Sequence, residues 1–223
     1  MKVLIFDSGP IINLSLNGLL YILSNLKKVF NGKFIITEAV KREIIDRPIK
    51  VPRFELSALK IQNLLDEKVI ELSDSIGIDS KLIKKESARM MGEANVCVRA
   101  KNRVVNIISE AETSCLALSA ELSKKGVENI IAIDERTTRL LGEKPESLEK
   151  IMSDRMHVNV SVSCNLNSFK NFKFIRSTEI VYVAYKKGLL GVKGSNALEG
   201  ALYATKFKGS AVSFEEIDIL KKM

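Results

Sequence analysis

One histidine, His157, is all this 223-residue chain offers, which excludes a two-histidine metal motif. Cysteine is nearly as scarce. Cys97, Cys115 and Cys164 lie far apart and form no CxxC, so the odd, sparse set points to reduced thiols, with Cys115 as a core residue. No stretch approaches the roughly 20 apolar residues of a spanning helix. The N-terminal segment turns acidic at Asp7 before a signal-peptide apolar region could develop. The expectation is a cytoplasmic protein with no membrane partner. No Ser-His or Cys-His arrangement stands ready for nucleophilic catalysis. An Asp-x-Asp phosphatase loop, with Asp7 as nucleophile, is disfavoured because Gly9 occupies the place of the second acid. Aromatics are few, so stacking of single-stranded bases would fall to Phe172, Tyr182, Tyr185 or Phe207, each of which reads as core. Internal repeats and low-complexity tracts are missing.

What the chain does have is base. Lys and Arg number 35 against 27 Asp and Glu, a net charge of +8. The excess is uneven: from Arg155 to Met223 there are 11 basic and 5 acidic residues, against 24 and 22 in the rest. A basic surface around gathered acids suits a polyanion, with the bases on phosphates and the acids on metal; a merely solvated basic surface is the plainer reading.

Apolar runs alternate with amphipathic segments. Val3 to Phe6 reads as a buried strand, and Pro10 can open a helix whose apolar face continues to about Leu26. Phe34 to Ile36 is a second strand, with Thr37 capping a helix to about Asp46 that Arg47-Pro48 ends. A linker at Val51-Pro52 leads to a helix ending near Lys68, then a short strand or tail at Val69 to Leu72 and a helix over 81–91. Residues 92–106 are ambiguous. Ser109 to Leu122 is the clearest helix, with a cap before it and Gly126 after it. Asn129 to Ile133 is a strand, and Arg136 starts a helix. A charged surface segment covers 143–155 and an edge strand 158–162. Phe172 to Ile175 is a core strand; helices follow over 178–187, 197–206 and 214–222, the last capped by Ser213. The pattern predicts an α/β protein, a three-layer α/β/α sandwich on a central, mainly parallel sheet.

Four acidic sites end or follow apolar runs: Asp7, Glu43, Glu110 with Glu112 beside it, and the pair Asp134-Glu135. The carboxyl ends of parallel strands share one edge, where ligands bind. Carboxylates gathered there repel one another unless they hold a hard cation, so convergence implies Mg²⁺ or Mn²⁺. Each acid also has a plain structural reading: Asp7 and Asp134 as caps, Glu43 as a solvated helix residue, Glu110 and Glu112 as first-turn acids. Residues two apart on a helix stand about 200° apart, so Glu110 and Glu112 cannot both face one metal.

At these residues the chain resembles the PIN-domain family, metal-dependent ribonucleases that include VapC-type toxins and archaeal ribosomal-RNA processing nucleases. The matching pieces are Leu4-Ile5-Phe6-Asp7-Ser8; Ile36-Thr37 through Val40 to Glu43-Ile44; Glu110-Ala111-Glu112 leading to Leu116-Ala117-Leu118; and Ile131-Ala132-Ile133-Asp134-Glu135-Arg136. A later echo runs from Val183 to Leu190. The core motifs fall in 1–45 and 105–140 of a single PIN-like domain. A helical segment (46–104), an insertion (141–175) and basic C-terminal helices (176–223) make up the rest.

The resemblance implies an endoribonuclease that hydrolyses RNA phosphodiesters through a water activated by Mg²⁺ or Mn²⁺. Asp7, Glu43, Glu110 and Asp134 are the implied metal acids, with Glu112 and Glu135 as alternatives at the third and fourth places. Ser8 would meet the scissile phosphate. Arg136, Arg139, Lys186, Lys187, Lys206 and Lys208 are candidate phosphate contacts. The family suggests a homodimer; an antitoxin partner is not favoured, because such toxins are usually compact. The alternative is an RNA-binding or ribosome-associated module on the same fold that does not cut. Glu in place of the family's usual Asp at the third site, and the long stretches 46–105 and 141–175, favour that alternative.

Overall fold

A computed structural model describes residues 1–101, 103–163 and 166–223. Its centre is a five-stranded parallel sheet in the order β3-β2-β1-β6-β8, built from β1 (Lys2–Phe6), β2 (Gly32–Ile36), β3 (Glu71–Leu72), β6 (Glu128–Ala132) and β8 (Phe174–Ile175). The strands are short apolar runs because both faces are covered, as parallel sheets require. Ile5, Ile35, Ile36, Ile131 and Ala132 are fully buried among them.

Helices flank this sheet in a three-layer α/β/α sandwich. α1 (Ser8–Leu16) and α2 (Tyr21–Val29) join β1 to β2. Between β2 and β3 run α3 (Glu38–Lys41), a π-helical turn (Arg42–Asp46) and α4 (Pro52–Asp66). The long α5 (Ser80–Cys97) packs on α6 (Glu110–Lys124), which lies against β1 and β6. Past β6 come α7 (Arg136–Glu143) and α8 (Leu148–Met156), and α9 (Ser177–Lys186) follows β8. Finally α10 (Ala197–Phe207) packs on α9, and α11 (Phe214–Lys222) packs on α10.

One helix expected up to about Leu26 is two. Gly18 adopts φ +68°, which a glycine takes without strain, and turns the chain between α1 and α2. The ambiguous stretch 92–106 resolves into the end of α5 and the strands β4 (Val98–Ala100) and β5 (Arg103–Val104). With β7 (Val160–Val162) these form a small antiparallel sheet, order β5-β4-β7. Cys97, expected to be reduced, is disulfide-bonded. Cys115 is free and buried, as its place in an apolar run implies, and Cys164 lies outside the described residues. Among the described residues no helix is long and apolar enough to cross a membrane.

The topology positions the site. β2 and β6 flank β1 on opposite sides, so the connections leaving β1 and β6 diverge. Their register pairs Phe6 with Ala132, which brings Asp7 and the 134 corner to one edge of the sheet. A crevice at such a switch point is where open α/β sheets bind ligands.

Candidate functional site

Asp7 leaves β1 as the N-cap of α1. Its backbone N–H donates to Ala132 O (2.9 Å), continuing the pairing with β6, and its Oδ2 accepts from Gly9 N (3.3 Å). The other oxygen, Oδ1, is buried with no hydrogen-bond partner in the protein. Burial pushes the carboxyl up to about 8, and the negative charge of Glu112 adds to this, with a smaller push from Glu43; the backbone at Ser8 and Gly9 only partly offsets it. The Cys115 thiol beneath it is raised by burial, then by the fields of Asp7, Glu112 and Glu43. Asp7 caps a helix with one oxygen and leaves the other uncommitted.

Glu112 is the acid of α6 whose charge acts on Asp7. It closes a capping box: Ser109 Oγ accepts from Glu112 N (3.3 Å), and Glu112 Oε2 accepts from Ser109 N (2.6 Å). Burial raises its carboxyl and the nearby Glu135 raises it further. Thr138 lies beside it, and its hydroxyl slightly offsets that rise. Glu43 comes from the π-helical turn after α3, where Arg47 N bonds back to Arg42 O (3.1 Å). The extra residue in such a turn re-aims side chains, and π-turns are frequent at functional sites.

Glu110 points elsewhere. It stands on the surface, paired with Arg42 at 2.6 Å, and does not join the group around Asp7. On α6 it is thus Glu112 that lies toward Asp7, because the capping box turns residue 112 inward and leaves 110 in solvent.

Asp134 is close to the site but engaged. A Cβ built on Gly9 would lie 3.5 Å from Asp134 Cβ and 3.6 Å from Asp7 Oδ2, so the two aspartates border the same glycine. Asp134 Oδ1 accepts from Ser177 N (2.8 Å) and Ser210 Oγ (3.0 Å), and Oδ2 from Asn13 Nδ2 (3.2 Å). Burial still holds its carboxyl above the ordinary range. Its partners make Asp134 a clamp joining α1, α9 and the segment after α10. Glu135 caps α7 through Thr138 N (2.7 Å) and lies within 3.5 Å of Arg155.

Comparison with protein-family models, curated proteins and solved structures finds no match to this chain. The site has to be read from its own geometry. Its donors are all oxygen, the kind a hard cation takes. Among the described residues no three His, Cys, Asp or Glu side chains gather closely enough to ligate one ion directly.

Of the remaining candidates, Ser8 opens α1 beside Asp7 and is half-buried. Arg136 and Arg139 lie on α7, at the same end of the sheet. Lys186 and Lys187 do not. They close α9, and Lys187 lines an apolar groove with Lys2 and Glu128, residues at the starts of β1 and β6. Ten helical residues span about 15 Å, which puts these lysines at the far edge of the sheet. Several partners had no mark in the sequence. Asn13, fully buried, was legible only as a polar residue inside the apolar run Ile11 to Leu14. The Thr37–Ser114 hydroxyl pair (2.6 Å) and the buried Arg176, held by Glu216 (2.7 Å) and Glu179, join residues far apart in the chain or mark a strand end.

Proposed function

We propose that this chain is a Mg²⁺- or Mn²⁺-dependent endoribonuclease with a PIN-like fold, acting on RNA phosphodiesters in the cytoplasm. The observation that carries the reading is Asp7: a buried carboxylate at a topological switch point, with one oxygen unpartnered and two further acids raising its proton affinity. A cation beside it would replace that proton and relieve the repulsion. Asp7 and Glu112 would hold the ion, with Glu43 and Glu135 reached through its waters. Mg²⁺ commonly keeps several waters and uses one or two carboxylates, so a direct three-ligand set is not needed. When bound, the ion supplies Lewis-acid polarisation of the phosphate and activation of a water. Around it, Ser8 would orient a phosphate oxygen, Asp134 would keep α1 and α9 fixed against each other, and the α7 arginines would bind flanking phosphates.

Cleavage of a mixed-sequence RNA in Mn²⁺, abolished by chelator and by Asp7→Asn, is the expected result. Retained cleavage in Asp7→Asn removes the mechanism. The second reading, RNA binding without cleavage, is favoured by the same lack of a direct three-ligand set and by the occupied state of Asp134. It is the outcome if RNA binds in chelator and no metal restores cutting.

A further inference from the structure

A groove of about 640 Å³ lies beyond Asp134, bounded by α7, α10 and the start of α11. Five cations line it, Arg136, Arg139, Lys144, Arg176 and Lys206, against two carboxylates, Glu143 and Glu216. Arg176 is paired with Glu179 and Glu216, but Arg136, Arg139, Lys144 and Lys206 make no salt bridge among the described residues. Arg139 gives Nη2 to Ala211 O (2.9 Å), but its Nε is buried without a partner. Arg176 donates to the same carbonyl (3.3 Å), so two guanidinium groups converge on one neutral acceptor. Burial lowers the Arg139 guanidinium, and the charge of Arg176 lowers it further. An anion in the groove would supply Arg139 the partner that its Nε lacks.

The groove also has an aromatic wall, on residues that sequence reasoning assigned in part to the core. Phe207 lines it and is 72% exposed. Its ring lies 6.3 Å from Tyr203 in a stacked arrangement and 6.5 Å from Phe214, itself half exposed. Lys206 Nζ sits 4.2 Å from the Phe214 ring centre, so a cation at the groove also steadies the aromatic cluster. Exposed aromatic rings beside uncompensated base match how single-stranded nucleic acid is held: phosphate on the cations, base on the ring. Ser210, which lines the groove, also donates to Asp134 Oδ1, so the groove adjoins the Asp7 crevice at one residue's remove.

We propose that this groove is a nucleotide subsite, in which Arg136 and Arg139 hold a backbone phosphate and Phe207 stacks on the adjoining base of a single strand. It rests on the RNA reading only for the identity of the strand and needs no metal.

The chain contains no tryptophan, so Phe207→Trp installs a sole reporter on the exposed wall. In chelator, a short single-stranded oligouridylate should quench that tryptophan. Inorganic phosphate alone, or the same length of RNA duplex, should leave it unquenched. Phe207→Ala should weaken binding of the single strand about ten-fold, measured by anisotropy of a labelled oligonucleotide. Arg136→Gln, at an exposed position, should lower the slope of log affinity against log salt by about one. Absence of quenching, or wild-type affinity in Phe207→Ala, overturns the subsite. Quenching by phosphate alone does so too, since it reduces the groove to an anion site. Quenching without cleavage in Mn²⁺ keeps the subsite and removes the nuclease; cleavage without quenching does the reverse.

Discussion

The Asp7 carboxyl holds a proton at neutral pH when no cation is near, and this has a consequence for stability. Its value in the folded chain, about 8, lies above the ordinary 3.8. Folded protein therefore binds the extra proton between those limits. The stability this group supplies is whole below about pH 4 and is lost as pH rises through about 8. Each pH unit across that window costs about 1.4 kcal/mol, an upper bound on what solution relaxation leaves. Asn is a good N-cap and carries no charge, so Asp7→Asn keeps the bond from Gly9 and removes the titration. Its melting temperature in chelator should exceed that of the wild type by several degrees near pH 8, and the two should converge near pH 4. A gap independent of pH would place the titration elsewhere. The neighbouring acids separate in the same way. Glu112→Gln can still close the capping box, so it should keep the fold while cleavage drops at least ten-fold. Glu110→Gln breaks only an exposed pair with Arg42, worth about 0.2–1 kcal/mol, and cleavage rates should stay within two-fold.

Among elements, the Asp134 clamp decides how firmly the C-terminal third is held. Asp134→Ala removes the acceptor of three buried donors, Ser177 N, Ser210 Oγ and Asn13 Nδ2, of which the last keeps its bond to Thr205 O. The expected cost is about 2–4 kcal/mol, read from urea unfolding. A smaller loss would mean that water replaces the carboxylate. This clamp also marks where sequence reading stops. Four parallel strands were legible because each contains a continuous apolar run, while β3 reads only as a short strand or tail; the caps Thr37, Ser109 and Ser213 were legible because each oxygen stands just before an amphipathic segment. The break at Gly18 was not, since apolar spacing continues across it. Of the small antiparallel sheet, the edge strand expected over 158–162 is β7; β4 and β5, two or three residues long and the first continuous with α5, were not legible. At the site, spacing showed that Glu110 and Glu112 face different ways; which one lies toward Asp7 depended on a capping box. The partners of Asp134, at positions 13, 177 and 210, were not legible because they are nowhere near it in the chain.

For the whole molecule, a bound ion should appear as stability. A ligand that binds only the folded chain contributes about 2.7 kcal/mol at a hundred times its dissociation constant. Mn²⁺ should therefore raise the melting temperature of the wild type near pH 8 and leave that of Asp7→Asn unmoved; an equal rise in both would assign the ion to another place. The order in which the chain is made bears on the same architecture. Asn13 emerges from the ribosome first, Asp134 much later, Ser177 and Ser210 later still. Until the last of these arrives, the carboxylate between α1 and α9 lacks a donor and the basic, aromatic groove lacks a wall. The clamp and the groove therefore close only once α10 and the segment after it have been made and docked beside α9.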